Sequence, residues 1–392
     1  MKRTDFSVDW LFAACAPDTE LLPWNAQFTP VDLPHDWQIR HADDLYRDGT
    51  LFYRKYFFVT DVPGTRRMLW FGGAYMDTTV FVNGTEVGQW KYGYTSFWFD
   101  ITDALHEGQN EVLVRCNLRH PNSRWYSGAG LYRNVELWEA PDLHLMPDGL
   151  YVAAKEGDNG AWTVAVTAEA GSVTAAITGR TLTLHLTDDN GSLLGTAAIP
   201  ADAWAALPSP DGWRTGKETA IYKASHTFTL QDPALWDLDA PSFYHITAEL
   251  TGADGVTDTL TTRFGCRTIE ATPDCGLLVN HKRVLIKGVC IHHDFGCLGS
   301  AFEYSAAKRQ LEILKSMGVN SIRTGHTPPA PQFMDLADEM GILMDVESFD
   351  CWRSGKNPYD YGRFFDEWQE KDVAAWIRRD RNHPCLLYTS PS

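Results

Sequence analysis

The hydrophobic period changes once along this chain of 392 residues, near Gly265, and that change limits the folds open to it. Upstream, apolar residues alternate with polar ones in short runs separated by turn residues. Downstream, short apolar runs alternate with stretches of helical spacing. The first pattern specifies antiparallel β-structure with one face covered, and the second specifies parallel βαβ units.

Residues 1–140 read as an all-β sandwich, with strand-like runs at Phe52–Val59, Met68–Phe71, Thr78–Val82, Phe97–Ile101 and Val112–Cys116. Asn83-Gly84 between two such runs predicts a tight hairpin, because both residues tolerate positive φ. Residues 141–271 read as a second sandwich, of immunoglobulin-like size and turn spacing. Trp162–Thr167, Leu182–Leu186, His226–Leu230, His245–Leu250 and Thr259–Phe264 supply strands, and Asp188-Asp189-Asn190-Gly191 a turn. No Cys…Trp…Cys pattern suggests a pinning disulfide.

Residues 272–392 open with a hairpin at Asn280-His281-Lys282-Arg283. Val284–Cys290 is apolar enough for a strand covered on both faces. Helical spacing follows over Ser305–Met317, Pro331–Met340 and Phe364–Asp380, with strands at Val319–Thr324 and Ile342–Val346 between. Gly318 and Gly341 stand where helices stop. Strand alternating with helix three times marks the first three to four units of a (β/α)8 barrel, with the sequence ending before the barrel is complete. An open half-barrel of this kind predicts unpaired strand edges, uncovered apolar helix faces and poor solubility.

Composition narrows the partners. A formal net charge of −17 repels nucleic acid and anionic membranes. No apolar stretch follows Met1-Lys2-Arg3, and no run of about 18 apolar residues is present, so a cytoplasmic protein is expected. The eight cysteines form no CxxC pair and are expected to be reduced, buried thiols rather than zinc ligands. Fifteen tryptophans are mostly core, although an indole face also suits the apolar face of a pyranose.

Active sites of (β/α)8 barrels form at the C-terminal ends of the strands, and here those ends are polar. The first delivers His292, His293 and Asp294. The second delivers Arg323 and His326. The third delivers Asp345 and Glu347, followed by Phe349, Asp350 and Trp352. Ordinary surface loops are the bland alternative, and the repeated strand-end placement favours function. His292, His293 and Asp294 as metal ligands is a minority reading, because adjacent residues on a strand point apart. Arg323 either holds a catalytic carboxylate ionised or forms a structural salt bridge with Glu347. Glu347 as a lone catalytic acid is discounted, because glycosidases need two carboxyls across one bond.

Four motifs carry a resemblance. Leu33-Pro34-His35-Asp36-Trp37, the run Arg124 to Arg133, Lys287-Gly288-Val289-Cys290-Ile291-His292-His293-Asp294 and Ile322-Arg323-Thr324-Gly325-His326-Thr327-Pro328 together resemble glycoside hydrolase family two. β-Galactosidases look closest, with β-glucuronidases and β-mannosidases as relatives. The resemblance implies a jelly-roll, galactose-binding-like β-sandwich, an immunoglobulin-like β-sandwich and an incomplete TIM barrel. It implies a retaining exo-β-glycosidase acting on a β-galactoside or related small glycoside, without a cofactor, and it leaves a homo-oligomeric parent open. Both catalytic glutamates of the family follow the Arg381-Asn382-His383-Pro384 segment, so no catalytic residue is assigned here and the chain is expected to be inactive alone. The resemblance implies that His292 and His326 touch sugar hydroxyls and that Arg323 supports the nucleophile. Trp125 and Tyr126 would reach the barrel mouth, with core packing as their alternative. The family's magnesium pattern after the third strand lacks its His here, so no metal is expected. A carbohydrate-binding scaffold of two sandwiches and a vestigial barrel is the reading from another class.

Overall fold

The computed structural model describes residues 1–390 apart from 42, 61–63, 175, 208–215 and 254. Residues 391 and 392, which close the sequence, lie outside it. The first unit is a sandwich of two antiparallel sheets. One has the strand order Lys2–Asp5, Val135–Pro141, Thr65–Phe71, Phe97–Asp100. The other runs Thr29–Val31, Trp10–Cys15, Gly49–Val59, Gly108–Leu118, Thr78–Val82, Thr85–Trp90. Alternating side chains of both sheets meet in one core that includes Trp10, Leu51, Tyr53, Leu69, Val80 and Val114, as expected of period-two strands. Asn83 (φ 49°) and Gly84 (φ 78°) close the hairpin that their sequence predicts.

The second unit is also a two-sheet sandwich. Ala161–Ser172 pairs with Ala220–Gln231 along its full length in one sheet, and Thr181–Asp188 lies beside Tyr244–Gly252 in the other. Trp162, Val164, Leu184, Leu186, Ile246 and Ala248 fill the space between them.

After a small antiparallel hairpin of Gly276–Val279 with Lys282–Arg283 comes a parallel sheet of four strands. Its order is Gly288–Ile291, Ser321–Thr324, Leu343–Glu347 and Leu386–Ser390. The sequence places three of these strands and allows a fourth unit, and the structure locates that fourth strand at Leu386–Ser390. Helices α1 (Tyr304–Ser316), α2 (Pro331–Met340) and α3 (Phe365–Asp380) alternate with the strands. Gly341 ends α2 in the left-handed region (φ 62°), where its missing Cβ removes the steric cost. Ile322, Met344 and Val346 face the helices and are fully buried with Leu311, Phe333 and Leu336. Strand alternation therefore turns Cys290, Arg323, Asp345 and Glu347 to the opposite face, toward the barrel axis.

Two expectations need correction. Val284–Cys290 is not a strand covered on both faces. The strand begins at Gly288, and Leu285 and Ile286 are 70% and 48% exposed. The physical reason is that this strand has a hydrogen-bonded neighbour on one side only, Ser321–Thr324, among the described residues. The cysteines are all free, but only Cys116, Cys266, Cys351 and Cys385 are buried. Cys275, Cys290 and Cys297 are exposed.

The first unit and the barrel share a core. Phe349, Tyr361 and Phe365 belong to the same apolar cluster as Tyr92 and Trp90. Phe349 and Tyr361 stack at 4.8 Å, and Tyr92 lies 4.4 Å from the Tyr361 ring. Among the described residues, no helix is long and apolar enough to cross a membrane.

Candidate functional site

The site is built where the second and third barrel strands end. Parallel pairing sets Arg323 beside Asp345 in register, and Glu347 follows two residues later on the same face. Arg323 donates from Nε to Glu347 Oε1 at 2.8 Å, and its Nη2 also meets that carboxylate. His326 Nδ1 lies 2.5 Å from Glu347 Oε2 and 3.1 Å from Arg323 Nη2. Arg323 Nη1 reaches Cys290 Sγ at 3.4 Å across the first strand. The salt bridge with Glu347 is thus formed. The Arg323 side chain is 38% exposed, so this bridge is not a deeply buried one. Burial and the neighbouring Glu347 raise Asp345 above the usual carboxylate range.

Trp125 comes to this cluster from the first unit. Its indole stacks on His292 at 5.1 Å with 21° between planes, and meets His326 at 5.7 Å. The two histidine rings are 6.1 Å apart. His292, His326, Arg323, Glu347 and Trp125 therefore form one contiguous group. The Trp125 Nε1 is buried without a hydrogen-bond partner.

The other candidate residues lie elsewhere. His293, adjacent to His292 on the strand end, points away from it as alternation requires. Its Nε2 is 2.9 Å from Ser127 O, and its ring packs on Tyr94 and Tyr132. Burial lowers it to about 4, so it is neutral near pH 7. Asp294 acts electrostatically on Tyr126 and on His293. Tyr126 donates to Asp36 at 2.6 Å. Trp352 rests on Phe349 and Phe365.

Asp36 shows why the Leu33–Trp37 motif matters, a role that the sequence reading does not assign. Its Oδ1 accepts from the backbone N–H of Gln38 and Ala129, both at 3.0 Å. Its Oδ2 accepts from Tyr126 Oη, Ser300 N and Ser300 Oγ at 2.6, 2.8 and 3.1 Å. One buried carboxylate thus ties the loop that carries Trp125 to the loop after the first barrel strand. Gly128 sits in this joint at φ 66°, and a Cβ there would fall 1.8 Å from Ser300 Oγ. Arg133 adds a second tie, donating to Tyr94 O at 2.8 Å and to Pro328 O at 3.1 Å.

A cleft of about 340 Å³ adjoins the site, lined by Trp125, Thr327, Asn122, Tyr92 and Asp350. Another, of about 440 Å³, is lined by Ile291, Thr324, Phe333 and Ala330. His292 and His293 line it as well, together with Tyr132 and Arg133 of the first unit, whereas Arg323 and Glu347 do not. Asp338, His383 and Cys385 bring three ligand-type atoms within 4.8 Å of one another. They do not suit a metal: Cys385 N–H occupies one Asp338 oxygen and His383 the other. Burial alone would lower His383, but the Asp338 carboxylate at 2.6 Å outweighs it and raises the imidazole to about 9, keeping it protonated.

The comparisons fit this arrangement. Three models match end to end: the family 2 glycosyl hydrolase sugar binding domain over residues 23–141, the family 2 glycosyl hydrolase domain over 148–267, and the family 2 TIM barrel domain over 271–390. The chain belongs to glycosyl hydrolase family 2. Within this family it is 35% identical to a β-galactosidase of Bacteroides ovatus, over 99% of this chain and 46% of that protein. It is 26% identical to a β-glucuronidase of Bacteroides fragilis, over 93% of this chain and 54% of that protein. Among solved structures, a family 2 member from Bacteroides cellulosilyticus superposes with a TM-score of 0.86 at 29% identity, covering 98% of this chain and 51% of that one. A β-glycosidase from Bacteroides vulgatus gives 0.85 at 28%, covering 100% and 51%. The chain spans about half the length of these family 2 relatives.

Proposed function

We propose that this chain forms the sugar-facing part of a retaining exo-β-glycosidase whose substrate is a terminal β-galactoside. The observation that supports this most directly is the junction at the barrel mouth, where Trp125 of the first unit stacks on His292 above the Arg323–Glu347–His326 cluster. An indole face accepts the C–H face of a pyranose, and the imidazole nitrogens of His292 and His326 exchange hydrogen bonds with its hydroxyls. Arg323 contributes fixed positive charge beside carboxylates that face the barrel axis. The Bacteroides ovatus β-galactosidase supports the choice of sugar. A β-glucuronide is the second reading, favoured by the Bacteroides fragilis relative.

Retaining hydrolysis needs two carboxyls on either side of the bond, about 5 Å apart. Among the described residues, Asp345 and Glu347 lie on one face of one strand, and Glu347 is engaged by Arg323 and His326. We therefore assign no acid/base and no nucleophile here. The purified 392-residue chain is expected to bind methyl β-galactoside in isothermal titration without turning over a nitrophenyl β-galactoside. Trp125→Ala and His326→Ala should each weaken binding by about tenfold, near 1.4 kcal/mol. Turnover by the chain contradicts the assignment. Binding retained in full by residues 1–271 alone favours a sandwich-borne scaffold site instead.

A further inference from the structure

The search outside the Arg323–Glu347 cluster leads to the next shell of the same mouth, where charge is unevenly shared. Asp350 follows the third barrel strand by three residues, and its side chain is 8% exposed. Arg124, adjacent to Trp125, donates to it from Nε at 3.3 Å and from Nη2 at 2.5 Å. Lys356 Nζ donates to the same carboxylate at 2.8 Å and to Asp350 O at 2.6 Å. Two cations thus share the Asp350 carboxylate at the rim of a chain whose net charge is −17.

Neither cation has a second carboxylate partner among the described residues. Asp360 is buried, and its oxygens accept from the backbone N–H groups of Lys356, Asn357 and Gly362. Glu347 is engaged by Arg323, and Asp366 by Arg353. Both cations remain open to solvent, Arg124 at 49% and Lys356 at 43%. With Nε and one hydrogen of Nη2 turned to Asp350, the guanidinium keeps its end-on edge for a second planar anion. Asp350 itself lines the cleft that holds Trp125.

We propose that Arg124 and Lys356, gathered by Asp350, are specificity-determining residues that receive an anionic substituent of the glycoside, a carboxylate or a sulfate. The inference rests on the reading of this mouth as the sugar site. Asp350 acts as a positioning residue: it holds the two cations side by side and fixes the Arg124–Trp125 loop to the barrel.

The test uses the whole chain and three probes: methyl β-galactoside, methyl β-glucuronide and methyl β-galactoside 6-sulfate. Isothermal titration is run in dilute and in moderate salt, with thermal unfolding of each variant as a check on folding. At least one anionic probe is expected to bind about tenfold tighter than the neutral galactoside in dilute salt, with the advantage shrinking as salt screens it. The stronger of the two anionic probes identifies the group. In Arg124→Gln and Lys356→Gln the ratio of anionic to neutral affinity should fall toward one. Asp350→Asn should raise that ratio, the opposite sign from general damage. Equal affinity for all three probes, or an advantage that survives both substitutions, overturns the proposal and leaves the sugar-site reading standing. Failure of every probe to bind overturns both.

Discussion

Single residues hold the mouth together by satisfying polar groups that burial would otherwise strand. Asp36 accepts five hydrogen bonds, and three of its donors (Tyr126, Ala129 and Ser300) lie on the two loops it joins. Removing it leaves these donors buried without an acceptor, at about 1–3 kcal/mol each before relaxation. Asp36→Ala should therefore lower stability by about 3 kcal/mol in urea unfolding, with Asp36→Asn between it and the parent. A loss under about 1 kcal/mol would show that the two loops are held by something else. Because the same loop carries Trp125, the substitution should also blur the near-parallel stacking on His292, visible as a shift in tryptophan emission.

At the scale of elements, the first barrel strand is the exposed one. Among the described residues its neighbour lies on one side only, and Leu285 and Ile286, just before it in the chain, are exposed. An open parallel edge next to apolar side chains is a template for association between chains. Ile286→Lys should raise the monomeric fraction in sedimentation velocity at tens of micromolar without lowering the unfolding midpoint, since Ile286 contributes little buried area. An unchanged sedimentation profile would place the sticky surface elsewhere. The helices behind this sheet are covered where they meet it, as Leu311, Phe333 and Trp376 show.

For the whole molecule, the contacts between units make stability depend on pH. Asp372 lies fully buried between the first unit and α3, accepting from Thr95 and Tyr361. Burial raises it from 3.8 to about 7. A raised carboxyl favours the folded state only while protonated, so its contribution is full below pH 3.8 and lost as pH rises toward 7. His383, raised from 6.5 to about 9, stabilises fully below 6.5 and loses that effect through pH 9. Asp350 runs the other way. Burial opposes its ionisation, but Arg124 and Lys356 overcome this and bring it to about 2, so its contribution is present above 3.8 and lost toward 2. Between pH 4 and 6.5 His293 and His35, both lowered to about 4 by burial, work against Asp372, because each binds its proton more readily in the unfolded chain. The unfolding midpoint in urea should therefore decline between pH 7 and 9, as His383 loses its proton. Asp372→Asn should make the midpoint rise more steeply with pH between 5 and 7 than it does in the parent, and a slope no steeper than the parent's would refute this account.

Local sequence determined the elements and much of the site. Alternation at period two, the Asn83-Gly84 turn, the helical spacing of α1 to α3 and the glycines after α1 and α2 are short-range rules, and the elements they mark appeared where their own residues placed them; the first barrel strand, which starts four residues after its apolar run begins, is the exception. Strand-end placement likewise made His292, Arg323, His326 and Glu347 legible, because parallel strands project their ends the same way. The tertiary structure decided what lies far apart in sequence. Trp125 on His292, Asp36 under Ser300, and Arg124 with Lys356 on Asp350 are joined across 160 residues or more in the first two cases, and no local period encodes such pairs. It also decided which neighbour of a strand end turns inward: His292 meets the cluster and His293 the first unit. That choice depends on which face of the strand the helices cover, a property of packing rather than of the run of residues itself.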